Sequence, residues 1–146
     1  MTGYDHPRAV RILTAVFAVA VVVSIVHYTD NAVNWSDYPQ PRAVTLPNVV
    51  IEAWVAFTAV GVAGYLLFRR AASNLALILL AAYSGSGLIG IGHYLVPGAT
   101  SMPWWRQLHV CLDIACGIAM LSFTLWAARA RLRGAAAGPR GAPSPG

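Results

Sequence analysis

The sequence predicts an all-α integral membrane protein, a four-helix up-down bundle with both termini in the cytoplasm. Composition is the first observation behind this, since 58% of the 146 residues are hydrophobic and 10% are charged, against roughly 25% charged in a soluble domain. The second is segmental. Residues 9–28, 49–68, 74–95 and 104–127 form four apolar runs, each near the ~20 residues that cross ~30 Å of hydrocarbon as a helix. The third is the placement of the basic residues, all ten of them arginine. Inside lipid the backbone must satisfy its own hydrogen bonds, and no run alternates apolar with polar residues as a barrel strand does, which leaves helices.

The first run starts behind Arg8 and Arg11. It reads as a retained span and not a cleaved signal, because His27-Tyr28-Thr29-Asp30 stands where a small-residue cleavage site would be needed. Tyr38-Pro39-Gln40-Pro41 then marks an extended connection, and Pro47 stands where the second helix begins, a position at which its missing N–H costs nothing. Ser73 is placed to cap the third span, Val96-Pro97-Gly98 to end it, and Pro103 to open the fourth. Residues 1–128 are thus one four-span domain, and 129–146, basic and rich in Gly, Ala and Pro, read as a disordered cytoplasmic tail.

Eight arginines, at 8, 11, 69, 70, 129, 131, 133 and 140, fall at the termini and between spans two and three. Only Arg42 and Arg106 fall in the other two connections. The positive-inside rule therefore puts the termini and the middle loop in the cytoplasm, with the plasma membrane as the expected location. Basic charge so distributed reports orientation and argues against a nucleic-acid partner; membrane lipid is the expected surrounding. Trp35, Trp104, Trp105 and Trp126 suit the two interfacial belts.

Up-down topology brings the end of span one, the start of span two, the end of span three and the start of span four to one membrane face, the outer one. His27, Asp30, Glu52, His93, His109 and Asp113 all collect there. Asp113 is the most demanding, since ten residues after Pro103 carries it ~15 Å inward, where a charge is costly. His109 and Asp113, four apart, share a face of span four, an arrangement that serves a proton shuttle, a metal ligand or a plain interhelical hydrogen bond. In span three, Ser86 and Gly90 have the small-xxx-small spacing of close helix packing. Alternatively, the small residues leave a cavity beside His93 to which Tyr83, Ser84 and Ser86 offer hydroxyls. Cys111 and Cys116 diverge around one helix and read as packing thiols.

With His27 and Asp30 closing span one, Tyr38-Pro39 after it, Glu52 in span two and Tyr83-Ser84 in span three, the layout of about 70 residues resembles the EXPERA group, which includes the emopamil-binding sterol isomerases. The resemblance implies helices enclosing a pocket for a lipophilic ligand, with Asp30 and Glu52 as acids that bind a cationic group or move a proton. The chain departs from the group in its short first loop and in the His109/Asp113 pair.

The leading expectation is a pocket for a small lipophilic molecule in the outer half of the bundle. Asp30, Glu52, His93 and Asp113 are its candidate proton-transfer groups, for isomerase-like chemistry in which one gives and another takes a proton. His27, Tyr83, Ser86, Tyr94 and His109 are its candidate ligand contacts. A second expectation is a zinc or iron site on His93, His109 and Asp113, with Glu52 as a further donor. A third is a structural subunit or assembly factor whose polar cluster only packs helices.

Overall fold

The computed structural model describes residues 5–42 and 44–136. Helix α1 spans His6–Val33, α2 Pro47–Arg70, α3 Asn74–Leu88, α4 Ile91–Tyr94 and α5 Trp104–Ala136, and short 3-10 turns lie at Trp35–Asp37 and Ala99–Ser101. With α3 and α4 taken as one span, four helices are long and apolar enough to cross a membrane. All described regular structure is helical.

The punctuation acts as the residue types dictate. Asp5 caps α1 by accepting the Arg8 N–H at 3.1 Å, Pro47 occupies the first turn of α2, and Ser73 accepts the Ala76 N–H at 3.1 Å to start α3. The Pro103 carbonyl receives the Arg106 and Gln107 N–H groups at the head of α5.

Neighbours around the bundle are α1 with α2, α2 with α3, α3 with α5 and α5 with α1, a closed ring in which the diagonals barely touch. Ala9, Leu13, Phe17 and Ala20 on α1, three and four apart, line one face of the core. Against them pack Phe68, Ala76, Leu77, Leu80, Tyr83, Met120, Phe123 and Ala127. Val19, Val22, Ile25, Leu66, Ile78 and Ile118 face outward, an apolar exterior compatible with a membrane bundle.

Glycines set the helix spacing. A methyl carbon on Gly87 would collide with the Asp113 carbonyl oxygen, and one on Gly117 would lie 2.8 Å from the Ser84 carbonyl oxygen. The backbones of α3 and α5 therefore touch at these two residues. Close packing of span three was expected at Ser86 and Gly90; the tightest crossing is instead at Gly87, and Gly90 lies against Ile114.

Two boundaries differ from expectation. Span three is not continuous over 74–95: α3 ends at Leu88 and the chain turns before α4. The Gly90 N–H goes to the Gly87 carbonyl at 3.0 Å and not to that of Ser86, a local tightening of the helix. The freed Ser86 carbonyl accepts the Tyr28 hydroxyl at 2.8 Å, so the break is satisfied across to α1. The second difference is in the tail expected from Arg129, because α5 continues to Ala136. Arg131 donates to the Asn74 side chain at 2.9 Å, which ties this extension to the head of α3. The remainder, 137–146, lies outside the described residues.

Candidate functional site

One end of the bundle, formed by the last turns of α1, the connection 34–46, the first turns of α2, all of α4 and the start of α5, carries the polar residues. His27 is at its centre, 3% exposed. Its ring centroid lies 5.7 Å from that of His93 and 5.7 Å from that of His109. The Tyr38 ring lies 5.5 Å from His93 and 6.4 Å from both His27 and His109. Three histidines from three helices and a tyrosine from the first connection thus share one volume.

Asp113, 2% exposed, faces His27: its Oδ2 is 3.1 Å from the His27 Nδ1. The His109/Asp113 pairing read from their spacing does not form. Four residues apart puts two side chains on one face, but an interhelical neighbour at the same depth competes, and here α1 supplies it. The His27/Asp113 contact is at hydrogen-bonding distance yet off the hydrogen-bond line, so both atoms are buried without a hydrogen bond. Buried polar atoms left so are rare, and each asks for a reason. A small void of ≈ 10 Å³ beside Asp113 is lined by Tyr83, Ser84, Ser86, Gly87 and Cys116 among others.

His109 turns the other way. Its Nε2 lies 3.4 Å from the Asp30 Oδ2 and 3.4 Å from the Tyr38 hydroxyl, and its Nδ1 is buried and unpaired. Asp30 is the hub of a second cluster. It accepts the Tyr38 hydroxyl and, at 2.7 Å, the Asn34 amide, and the Arg106 Nε stands 3.3 Å away. Arg106, 7% exposed, donates to Asp37 at 2.7 Å and lies over the Trp105 ring at 4.7 Å. This cluster pins the first connection to the head of α5. Burial, and then the bond to Asp30, push the Tyr38 hydroxyl well above the usual phenol range, so Tyr38 is a donor at every ordinary pH.

His93 closes a third arrangement. It donates from Nδ1 to the Pro39 carbonyl at 2.7 Å, and its Nε2 accepts the Asn31 amide at 3.1 Å. Gln40 in turn donates to the Asn31 oxygen at 2.7 Å. Both ring nitrogens are used, which fixes the tautomer and makes His93 a strut between α4 and the first connection.

Between these arrangements lies a cavity of ≈ 130 Å³. His27, Tyr28, Asn31, Gln40 and His93 form its polar end, and Val44, Val49, Val50, Ala53 and Ile89 supply apolar walls. His27 is thus placed between the cavity and Asp113.

Several expected site residues lie elsewhere. Glu52 is on the exposed face of α2, where it accepts the Asn48 amide at 3.1 Å. It stands one position off the inward stripe of Val50 and Ala53, and at the exposed helix head its charge is solvated at little cost. Tyr83 packs against Phe17, ring to ring at 5.0 Å, and the Tyr94 hydroxyl hydrogen-bonds with the Cys111 sulfur at 3.2 Å; neither lines the cavity. Ser86 meets Tyr28. The metal reading meets the same geometry: His93, His109 and Asp113 each face a different partner, and among the described residues no three His, Cys, Asp or Glu side chains converge as a ligand set.

Tyr38, Asn31, Gln40 and Arg106 were not among the expected site residues. Two signals pointed to them. Asn31 follows His27 by four residues, and Arg106 breaks the arginine bias, which its acid partners Asp37 and Asp30 explain. Compared with family models, with curated proteins and with solved structures, the chain matches none.

Proposed function

We propose that this is a multi-pass plasma-membrane protein with both termini cytoplasmic, which binds a small lipophilic molecule in the cavity beside His27 and exchanges a proton with it. The observation that carries the reading is the position of His27, one side of its ring toward Asp113 at 3.1 Å and the residue itself lining a largely apolar cavity. A carboxylate behind an imidazole holds the proton on the facing nitrogen and leaves a lone pair on the other, which is what a general base needs. The two buried atoms without hydrogen bonds fit a pair that aligns when a ligand seats.

The arginine bias supports the orientation, with the polar end facing outward. Under the EXPERA-like reading the proton-handling acids are Asp30 and Glu52. The engagement of Asp30 by Tyr38, Asn34 and Arg106 and the exposure of Glu52 favour His27 and Asp113 instead.

Native mass spectrometry of the chain released from a gentle detergent is expected to find a bound small molecule. Glu52→Gln should retain it and His27→Ala should lose it. A bare chain under every gentle condition, or a ligand indifferent to His27→Ala, removes this reading.

A further inference from the structure

We infer that the cavity takes a single six-membered ring bearing a hydroxyl, a phenol-class group, whose O–H donates to His27 Nε2. The inference rests on the proposed role of His27 and adds the ligand's class.

Size bounds the ligand first. A cavity of ≈ 130 Å³ is close to the engineered apolar cavity of about 150 Å³ that accepts benzene. It holds one ring, or the ring end of a longer lipid, and not a fused polycycle. The walls come next: Pro41, Val44, Val49, Val50, Ala53 and Ile89 offer hydrocarbon contact and nothing polar from their side chains.

The polar end then fixes what the ring must carry. Asn31 and both ring nitrogens of His93 are engaged, through each other, the Gln40 amide N–H and the Pro39 carbonyl, and the Tyr28 hydroxyl is engaged by Ser86. Arg106, Asp30 and Glu52 are absent from the lining, so among the described residues no side-chain cation awaits a carboxylate ligand and no lining acid awaits an ammonium. A charged ligand would be desolvated without compensation. The remaining groups are the His27 ring and the Gln40 carbonyl oxygen, itself an acceptor. When the pair aligns, the ring proton sits on Nδ1, 3.1 Å from the Asp113 Oδ2, and Nε2 presents a lone pair. The ligand must therefore be neutral and must donate. Of neutral O–H donors the size of a benzene ring, a phenol is the most acidic and gives the strongest bond to an imidazole nitrogen.

The test compares phenol with toluene, which has the same shape and no donor, by titration of the full chain in one detergent. Wild type should bind phenol at least tenfold more tightly than toluene. Asp113→Asn keeps the shape of the side chain but lets an amide N–H face Nδ1, which moves the ring proton to Nε2 and turns the acceptor into a donor. That variant should lose about tenfold in phenol affinity while toluene affinity changes less than about twofold. Glu52→Gln should behave as wild type. Equal affinity for the two probes in wild type, or an Asp113→Asn protein with undiminished phenol preference, overturns the proposal. If His27→Ala abolishes a natural ligand in mass spectrometry while the phenol preference is missing, the phenol class alone fails. If no ligand depends on His27, the proposed function fails with it.

Discussion

Tyr38 does at the scale of one residue what the first connection needs as a whole. Its ring packs near three histidines and its hydroxyl donates to Asp30, so a segment with Pro39 and Pro41, which cannot donate from their backbone, is held by a side chain. Tyr38→Phe keeps the ring and removes the donor. It is expected to cost about 2 kcal/mol, the range of a hydrogen bond to a charged group. The pH dependence has a definite sign. Because the folded-state phenol is pushed above its ordinary value, folding binds more protons than the unfolded chain once pH exceeds about 10. The stabilisation is complete below that pH and is lost as pH rises through the folded value. The difference in unfolding midpoint between wild type and Tyr38→Phe should therefore stay level from about pH 6 to about pH 9 and shrink above about pH 10. A difference that grows with pH would show that Tyr38 is not held as a donor.

At the scale of elements, the α3/α5 crossing decides where Asp113 stands. Gly87 touches the carbonyl of Asp113 itself, and Gly117 touches α3 one turn further along. Backbone contact of this kind leaves no room for a side chain and holds Asp113 at the level of His27. Gly87→Ala should destabilise the protein by about 1–3 kcal/mol, the usual cost of overpacking. It should also weaken ligand retention, because α5 must shift. Gly85→Ala is the control, since its added carbon would lie 3.6 Å from Phe57, an ordinary contact. Thermal unfolding in detergent separates them, and equal midpoints for the two variants would contradict the crossing. The break between α3 and α4 belongs to the same scale. Without it the Ser86 carbonyl would stay within the helix, and Tyr28 would need another partner.

Across the whole molecule, polarity is divided between the two ends. The inner core is aromatic and aliphatic, one end holds His27, His93 and His109 with Asp30, Asp37 and Asp113, and the other holds Arg69 and Arg70 with Asp5, His6 and the α5 extension. If the arginine rule sets orientation, the polar end faces outward. A reporter that is active only after export should stay silent when fused after Gly146 and be active when inserted between Pro97 and Gly98. The reverse pattern would invert the orientation and place the cavity on the cytoplasmic side.

The sequence by itself determined four apolar helices, their caps and their polar end. These follow from quantities summed along the chain: length in apolar residues, proline and serine at helix starts, arginine on alternate connections. It also brought His27, Asp30, His93, His109 and Asp113 to one end, because up-down topology needs only helix order. Pairing was decided by the tertiary structure. Which acid meets which histidine depends on helix rotation and depth, and a shift of one residue turns a side chain by about 100°. That is how Glu52 came to face outward while Val50 and Ala53 face the cavity. It is also why Asp113 found His27 and not His109. The same holds for the partners of Arg106 and for the role of Tyr38, since a loop residue has no helical period to read and its place is set by the surfaces it closes over.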